Sequence, residues 1–474
     1  MLTGMMKKTL LPTLALISIL ALAARLTAQQ KTTVDIDPQA NGIAISNDFM
    51  GLSFETTAIL PDANGHYPYF SADNRSLIRL FKTLGIKNLR IGGNTADRPS
   101  APIPSRADID AAYAFAKAAG TDVIYTVRLR DSKPEDVVAT AKYVVDHYKQ
   151  ETLCLSIGNE PNVYEKEYSK YHDDLVQFMA AIATVAPDAR LCGPATTPGN
   201  GAWAAKYAAD FGPSGKVVAV TQHSYPGGDS RKVADPAAGR ELMLSPRFVR
   251  QYQKLYDAFV PSVQKEGLSY RIEETNSFYN GGAENVSNTY ASALWSLDYL
   301  YWWAAHQASG VNFHTGDKVA AGEQQTPCWY ATFWNKPEGL KIHPIAYAIK
   351  AFDLGSHGKL LPAEVTAGSP ALTAYAVLGA DRTLYVTLIN KDKSAAATVD
   401  VHVKAQGVRG KPAAMLLTAP KADIAATEGV KLGGGTIASD GGWDGKWKTI
   451  ASRKTQISLT VEPASAVVVK LALK

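Results

Sequence analysis

The sequence predicts a (β/α)8 TIM barrel followed by a C-terminal β-sandwich domain. Between residues 47 and 352, short apolar segments of strand character alternate eight times with longer segments of helical periodicity. Eight strand–helix units are the number that a closed parallel barrel requires. After residue 352 the helical periodicity stops, and apolar and polar residues alternate between turns rich in Gly, Asp, Asn and Pro, which is typical of a β-sandwich.

An open, doubly wound sheet is the alternative for the first region. Such a sheet normally has fewer strands, and no Gly-x-Gly-x-x-Gly motif opens the first helix. The number of units therefore favours the barrel. The predicted strands are 50–55, 88–93, 122–129, 154–160, 191–195, 217–225, 270–276 and 310–316. The predicted helices are 71–84, 107–119, 134–148, 167–185, 202–211, 248–266, 285–306 and 344–352.

The N-terminus has the layout of a secretory signal peptide, predicted over residues 1–28. Lys7 and Lys8 precede an apolar stretch, and small residues near Ala28 offer a cleavage site. A membrane anchor or a buried helix is the alternative, but the stretch is short for a spanning helix and contains Pro12. A secreted or periplasmic protein is therefore expected.

Residues 29–46 also have strand character but no helix partner, so we expect this N-terminal strand to pack with the β domain. The predicted domains are then the N-terminal strand at 29–46, the catalytic barrel at 47–352 and the β-sandwich at 353–474.

Composition and charge exclude several classes of partner. The chain of 474 residues is 46% hydrophobic and 20% charged, with a net charge of +5. Cleavage of the signal peptide lowers that charge to +2, because two lysines and one arginine leave with it. No basic run suggests nucleic acid, and no later segment could span a membrane. The oligomeric state stays open.

The three cysteines fit neither a zinc site nor a disulfide framework. Cys154 and Cys192 stand in apolar strand-like segments, which favours buried free thiols, although a bridge stays open. Neither His nor Cys pairs show metal-ligand spacing, so we predict no metal and no cofactor.

Two acidic strand ends indicate the chemistry. Glu160 ends the fourth predicted strand, in the run from Ser156 to Pro161, and Glu274 stands near the end of the seventh. Catalytic groups of TIM barrels project from these strand ends, and the fourth and seventh lie across the mouth from each other. A carboxylate pair about 5–5.5 Å apart predicts glycoside hydrolysis with retention, and one about 6.5–9.5 Å apart predicts inversion. The sequence leaves the distance open.

Glu273 precedes Glu274, and strand side chains alternate, so one of the two is expected to face inward and the other outward. The pattern does not decide which. Other predicted strands also end in or beside polar groups, which suggests a polar active-site mouth rather than a core: Glu55, Arg90, Asn94, Arg128, His223, Tyr225 and His314.

These segments resemble those of a known family. Asn159-Glu160-Pro161 on strand four, with a Glu on strand seven, resembles the motif of clan A retaining glycosidases. Within the clan, residues 157–162 and 274–282 are similar to the acid/base and nucleophile segments of glycoside hydrolase family 79, the β-glucuronidase and heparanase family. Residues 51–55 and 89–93 also fit. Members of this family carry a β-sandwich after the barrel.

The resemblance implies roles for individual residues. Glu160 would be the general acid/base and Glu274 the nucleophile. Asn159 would hydrogen-bond the 2-hydroxyl of the sugar, and Tyr225 would hold the nucleophile ionised and aligned. Glu55 would hold distal hydroxyls.

The resemblance also implies how a sugar carboxylate would be bound. Backbone N–H groups after the nucleophile and tyrosines would meet it, which maps onto Tyr279, Asn280 and Gly281. The heparanase type has Gly where this chain has Asn280, a change that a backbone contact would survive. Tyr330 and Tyr347 are two candidates for one further tyrosine of the pocket. Arg90 and His223, from the polar strand ends, complete the predicted substrate-binding set.

The predicted function is a retaining exo-β-glucuronidase that acts on a glucuronic-acid-containing carbohydrate. No basic cluster comparable to those of heparanases is found around the cleft segments, which favours a small exo-acting enzyme over a heparan sulfate endohydrolase. One alternative is another clan A retaining β-glycosidase, of the xylosidase, glucosidase or arabinofuranosidase type. The other is a non-catalytic carbohydrate-binding barrel.

Overall fold

The structure is a computed structural model that describes residues 31–321, 324–366, 371–405 and 407–474. The predicted signal peptide lies outside these residues. Two N-terminal strands, β1 (Thr32–Ile36) and β2 (Ile43–Ala44), precede the barrel.

Eight parallel strands then form a closed barrel, which confirms the predicted fold class and excludes the open sheet. Each strand pairs with the next along the chain, and the eighth pairs with the first. They are β3 (Met50–Glu55), β4 (Asn88–Gly92), β5 (Asp122–Val127), β6 (Thr152–Ile157), β7 (Leu191–Thr196), β8 (Val217–Ser224), β9 (Tyr270–Thr275) and β10 (Gly310–His314).

All eight predicted helices are present. The helices are α1 (Arg75–Leu84), α2 (Arg106–Ala119), α3 (Pro134–Tyr148), α4 (Tyr168–Val185), α5 (Gly201–Phe211), α6 (Pro236–Leu244), α7 (Pro246–Lys265), α8 (Tyr290–Ala305) and α9 (Pro344–Gly355). The sequence analysis missed α6. This short helix starts with a Pro at its first position and the Asp235 side chain capping Ala237 N–H at 2.9 Å.

Two short hairpins follow β10 and were not predicted. The first is β11 (Lys318–Ala321) with β12 (Gln324–Pro327), and the second is β13 (Phe333–Lys336) with β14 (Gly339–Ile342). Residues of the first hairpin, Val319 and Ala320, line the cleft at the barrel mouth.

The remaining strands form two sheets that face each other. The strands are β15 (Lys359–Leu361), β16 (Ala363–Thr366), β17 (Leu372–Leu378), β18 (Thr383–Asn390), β19 (Ala397–Val403), β20 (Val408–Thr418), β21 (Lys431–Leu432), β22 (Lys448–Thr449), β23 (Gln456–Val461) and β24 (Ser465–Leu473). One sheet has the order β16-β1-β19-β23, and the other contains β2, β15, β17, β18, β24, β20, β21 and β22. Strand β1 pairs with β16 and β19, and β2 pairs with β15, so the N-terminal strands do contribute to the β-sandwich, as predicted.

Helix α8 joins the barrel to the β domain. Its sequence is apolar almost all round, and nearly every side chain is buried, as expected of a helix covered on both sides. Tyr301 on α8 stacks on Tyr375 of β17 with ring centroids 4.7 Å apart. Asp298, also on α8, accepts hydrogen bonds from Lys391 Nζ (2.7 Å) and the Tyr375 hydroxyl (2.8 Å). A buried ion pair therefore fixes the two domains together.

The expectation of free thiols at Cys154 and Cys192 is wrong, because the two residues form a disulfide. Strands β6 and β7 are neighbours, and both cysteines lie on the same face, with Cα atoms 5.8 Å apart. They pack with Ile124 and Ala219 in an apolar cluster separate from the main core. Cys328 is a buried free cysteine.

No helix in the described part of the chain combines the length and the apolar character needed to cross a bilayer.

Replacing Lys391 by Met should destabilise the protein far more than replacing Lys393 by Met. Lys391 and Asp298 are nearly buried, so Asp298 would lose its countercharge at a cost of about 3 kcal/mol. Lys393 pairs with Glu241 in solvent, with both side chains more than half exposed, so its loss should change the free energy of unfolding by less than about 1 kcal/mol. Urea denaturation of both variants measures this difference, and equal losses would contradict it.

Candidate active site

The C-terminal ends of the barrel strands surround a cleft of about 630 Å³. Its lining includes most of the residues that the sequence analysis placed at strand ends or in the nucleophile segment, and one of the two further tyrosine candidates, Tyr330: Glu55, Asn94, Glu160, Tyr225, Glu274, Tyr279, Asn280, Gly281, His314 and Tyr330. The closed barrel therefore brings residues more than 200 positions apart in the chain into one pocket.

Glu160 stands just after β6, where the backbone leaves the strand. Its own φ is +48°, in the left-handed region, and its N–H donates to the carbonyl oxygen of Ala195 at 2.9 Å. The carboxylate of Asp97 supports this turn, because it accepts hydrogen bonds from Asn159 N–H and the Tyr164 hydroxyl, each at 2.7 Å. The sequence analysis missed Asp97, since no pattern distinguishes this loop aspartate from a solvated one.

Glu274 is held by two direct hydrogen bonds. Arg90 Nη1 donates to Oε2 at 2.5 Å, and the Tyr225 hydroxyl donates to Oε1 at 2.9 Å. Burial would raise the pKa of Glu274, but the charges of His314, His223 and Arg90 and the Tyr225 hydrogen bond together hold this pKa well below its usual range. The carboxylate is therefore ionised at neutral pH.

Glu160 and Glu274 are close enough to act on one sugar. One carboxylate oxygen of each, together with a ring nitrogen of His223, lie within 4.8 Å of one another. This separation is closer to the spacing of about 5–5.5 Å between the carboxyl groups of retaining glycosidases than to the spacing of about 6.5–9.5 Å in inverting ones. Three such donors could also surround a cation. The surrounding carboxylates keep the His223 imidazole doubly protonated, and such an imidazole has no lone pair to offer a metal, so we assign no metal ligands here.

His223 bridges the carboxylates. Its Nδ1 lies 2.9 Å from Glu160 Oε1, and its Nε2 lies 3.7 Å from Glu273 Oε1. Burial alone would lower the pKa of His223, but the charges of Glu274 and Glu160 and the contacts with Glu160 and Glu273 raise it to about 9. The imidazole is therefore a cation at neutral pH.

The expected alternation of Glu273 and Glu274 is wrong at this point of β9. Gln222 and His223 are consecutive on β8, yet they pair with Ile272 and Glu274, so Glu273 is an extra residue. The register with β10 shifts in the same segment. Such a β-bulge breaks the two-residue period, and both carboxylates approach Arg90, at 2.5 Å and 3.9 Å.

Glu55 lines the cleft with both oxygens already engaged. Its Oε2 accepts from Thr95 N–H and the Thr95 hydroxyl, and its Oε1 accepts from Ala320 N–H at 3.1 Å. Burial would raise the pKa of Glu55, but His314 and Thr95 hold it below its usual value. Its binding of distal hydroxyls stays a prediction.

Three predicted substrate contacts lie elsewhere. The prediction for Tyr347 is corrected, because its hydroxyl accepts a hydrogen bond from Ile437 N–H at 3.1 Å in a separate pocket. Of the two candidates for a further tyrosine, Tyr330 is the one that lines the cleft. Arg90 and His223 are fully buried beneath the cleft and contact its carboxylates rather than its surface. The register of the strands turns the side chains of Arg90 and His223 toward the barrel interior. The composition of the sequence does not reveal that register.

Asn159 is almost buried beside Glu160. Its Oδ1 accepts from Arg90 Nη2 at 2.7 Å, and its Nδ2 lies 3.5 Å from Asn94 Oδ1 at the cleft. The arrangement is compatible with donation to a 2-hydroxyl, which stays a prediction.

The segment after Glu274 forms one rim of the cleft. Asn280, Gly281 and Gly282 have φ values of +63°, +85° and +81°, so three successive residues are left-handed. A Cβ atom on Gly281 would lie 2.6 Å from the Pro327 carbonyl oxygen, which explains the glycine. The Asn280 side chain is tied to Asp229 at 2.9 Å.

Comparison with known proteins gives distant relatives. No protein-family model matches the chain. Heparanase of Mus musculus is 28% identical over 221 residues, which cover 41% of this chain and 38% of that protein. A β-glucuronidase of Aspergillus niger is 38% identical over 50 residues, 10% of this chain and 9% of that protein. The chain thus matches less than two fifths of the length of these curated relatives.

Solved structures match over nearly the whole chain. A 4-O-α-L-rhamnosyl-β-D-glucuronidase from Fusarium oxysporum 12S superposes with a TM-score of 0.71 at 18% identity, covering 92% of this chain and 99% of that chain. A family 51 arabinofuranosidase from Xanthomonas axonopodis pv. citri has a TM-score of 0.69 at 15% identity, covering 94% and 100%. These likenesses show a shared barrel-plus-sandwich fold.

Fold and site together define a protein of the clan A retaining glycoside hydrolase type. The heparanase matches confirm the resemblance to glycoside hydrolase family 79 that the motifs predict.

Replacing Tyr225 by Phe should lower kcat on an aryl glycoside substrate. The hydroxyl is a direct donor to the Glu274 carboxylate, and a hydrogen bond to a charged group contributes about 1.5–3 kcal/mol, roughly 10- to 150-fold in rate. Tyr301→Phe is the matched control, because it removes a buried hydroxyl that contacts Thr387 at 3.0 Å away from the cleft. Steady-state kinetics should show an unchanged kcat in the control, and a similar loss in both variants would contradict the role of Tyr225.

Proposed function

We propose that the protein is a retaining exo-β-glucuronidase that removes terminal β-D-glucuronic acid from glycans or glucuronides by double displacement. One observation carries the choice of sugar. Within the described residues, the backbone N–H groups of Asn280 and Gly281 donate to no protein oxygen, although both residues line the cleft beside the two catalytic glutamates.

Unpaired N–H groups at a cleft favour an anionic ligand group. Successive backbone N–H groups in a left-handed turn form a concavity that binds carboxylates and phosphates without Lys or Arg. Asp229, an acidic side chain bonded to this rim, is already paired with Arg231 and Asn280, and these contacts hold its pKa well below its usual value. The hydroxyls of Tyr279 and Tyr330 at the same rim could add donors.

The comparisons support this choice. Relatives by sequence include heparanases and a β-glucuronidase, and one of the structural neighbours is a rhamnosyl-β-D-glucuronidase. In the proposal the protein acts outside the cytoplasm, because residues 1–28 have the layout of a signal peptide.

The mechanism uses the two glutamates in turn. In the first step Glu274 attacks the anomeric carbon while Glu160 donates its proton to the departing oxygen, giving a covalent glycosyl-enzyme and a free alcohol. In the second step Glu160, now a carboxylate, takes a proton from water as that water attacks the anomeric carbon. Glu274 leaves as a carboxylate, and the product keeps its β configuration.

The low pKa of Glu274 and its close contact with Arg90 suit this residue to the nucleophilic role, since a nucleophile must be ionised before substrate binds. Asn159, next to Glu160, would hydrogen-bond the 2-hydroxyl, a contact that strengthens in the oxocarbenium-like transition state.

A panel of p-nitrophenyl β-glycosides tests the function. The glucuronide should be hydrolysed with a kcat/KM at least about 100-fold above those of the glucoside and the xyloside, and NMR should show the β-anomer of the product first. Glu274→Gln should abolish turnover with the fold intact. Preferred hydrolysis of a neutral glycoside would contradict the glucuronidase proposal, and binding of all sugars without hydrolysis would indicate a carbohydrate-binding barrel.

Replacing Gly281 by Ala should impair glucuronide hydrolysis selectively. The new Cβ would collide with the Pro327 carbonyl oxygen and displace the N–H groups at the rim, so the KM for the aryl glucuronide should rise roughly ten-fold or more. Turnover of the aryl xyloside, which has no C6 carboxylate, should change little.

Gly215→Ala is the matched control, because Gly215 is also left-handed (φ +67°) and its Cβ would meet no atom within 4 Å. Equal losses on glucuronide and xyloside in Gly281→Ala would contradict carboxylate binding at this rim.

A further inference from the structure

Glu273 is a buried carboxylate that the proposed mechanism does not use. Its side chain has no exposed surface, and within the described residues neither carboxylate oxygen accepts a hydrogen bond. Its nearest charged neighbours are His223 Nε2 at 3.7 Å and Arg90 Nη2 at 3.9 Å. Burying a carboxylate without a countercharge costs free energy. The positive charges of His223 and Arg90 therefore stabilise the buried Glu273.

The same two cations hold the catalytic pair. His223 contacts Glu160 through Nδ1 at 2.9 Å, and Arg90 contacts Glu274 through Nη1 at 2.5 Å. Glu273 therefore lies behind both contacts, on the side away from the cleft. The β-bulge in β9 puts it there, since a regular strand would turn it to the opposite face.

We propose that Glu273 is a positioning residue that keeps His223 doubly protonated, so that its Nδ1–H donates to Oε1 of Glu160. The inference deepens the proposed function and rests on Glu160 being the acid/base. With Oε1 occupied as an acceptor, the catalytic proton of Glu160 is confined to Oε2, the oxygen left for the departing group.

A neutral His223 would compete with the leaving group. Its Nδ1 could then accept the proton of Glu160, so that the acid would donate to the protein rather than to the substrate.

Glu274 cannot supply the countercharge throughout the cycle. In the glycosyl-enzyme its carboxylate is an ester without charge, which removes one of the charges that favour the His223 cation. Glu273 forms and breaks no covalent bond, so it keeps its charge in both steps. His223 can thus stay cationic while Glu160 acts first as acid and then as base.

The charged groups that face His223 are consistent with this role. Glu160 approaches from the end of β6, and Glu273 and Glu274 approach from β9, so three carboxylates surround one imidazole. Burial would lower the pKa of His223, but the charges of these carboxylates and the hydrogen bond with Glu160 raise it to about 9. Arg90 from β4 and His314 from β10 contact Glu274 and oppose the effect.

The test is a titration of His223 in the full chain by NMR of 13C-labelled histidine, with His223→Asn for assignment. Wild type should titrate near pH 9, and Glu273→Gln should lower the midpoint by about two pH units or more, so that His223 is no longer fully cationic at neutral pH. Asp298→Asn is the matched control, since it removes another buried, paired carboxylate away from the cleft and should leave the midpoint unchanged while lowering Tm. A smaller fall in Glu273→Gln would leave His223 a cation at neutral pH without Glu273 and would overturn the proposal.

Glu273→Asp serves if Glu273→Gln fails to fold, because it keeps the charge but withdraws it from His223. Its midpoint should fall by a smaller amount, and no fall would overturn the proposal. Kinetics give a second readout: Glu273→Gln should slow substrates with poor leaving groups at least about ten-fold more than activated aryl glycosides. Equal slowing would indicate a merely structural role.

The titration needs no substrate, so it separates the two proposals. Inactivity on every glycoside contradicts the proposed function, and an unshifted His223 midpoint contradicts the role of Glu273.

Discussion

Near the mouth of the barrel the carboxylates of Glu160, Glu273 and Glu274 lie close together and are largely shielded from water. Side-chain exposure falls from 17% for Glu160 to 9% for Glu274 and to zero for Glu273. Like charges this close and this poorly solvated repel strongly unless cations are interleaved with them. Arg90 and His223 fulfil that need, and neither can be removed without leaving a buried negative charge unpaired. The two cations are therefore as much a part of the site as the glutamates.

This charge balance depends on backbone geometry that the barrel supplies. The left-handed turn at Glu160 directs one carboxylate over the cleft, and Asp97 secures that turn through hydrogen bonds to backbone N–H groups from two loops. On the other side the β-bulge in β9 turns two consecutive glutamates toward Arg90. Both features are local departures from regular structure, and departures of this kind concentrate at functional sites.

The packing outside the barrel explains why the site can be rigid. Helix α8 is covered by the barrel on one side and by the β domain on the other, and the N-terminal strands close the sandwich. The first and last described strands, β1 and β24, thus lie in the same domain. The ion pair of Asp298 with Lys391 lies at this contact, away from the catalytic cleft. The buried ion pair that stabilises the contact between the domains is therefore separate from the buried charges of the cleft.

The sequence by itself determined the strand–helix rhythm, the positions of Glu160 and Glu274 at strand ends, and the N-terminal strand of the sandwich. Those features are encoded in hydrophobic periodicity and in Gly and Pro breaks, which act over a few residues. Only the tertiary structure decided that Glu273 also faces inward, that Cys154 and Cys192 form a disulfide, that Asp97 supports the turn at Glu160, and that Tyr330 rather than Tyr347 reaches the cleft. Each of these depends on the register between strands or on loops far apart in the chain, and a one-residue shift in register reverses where a side chain points.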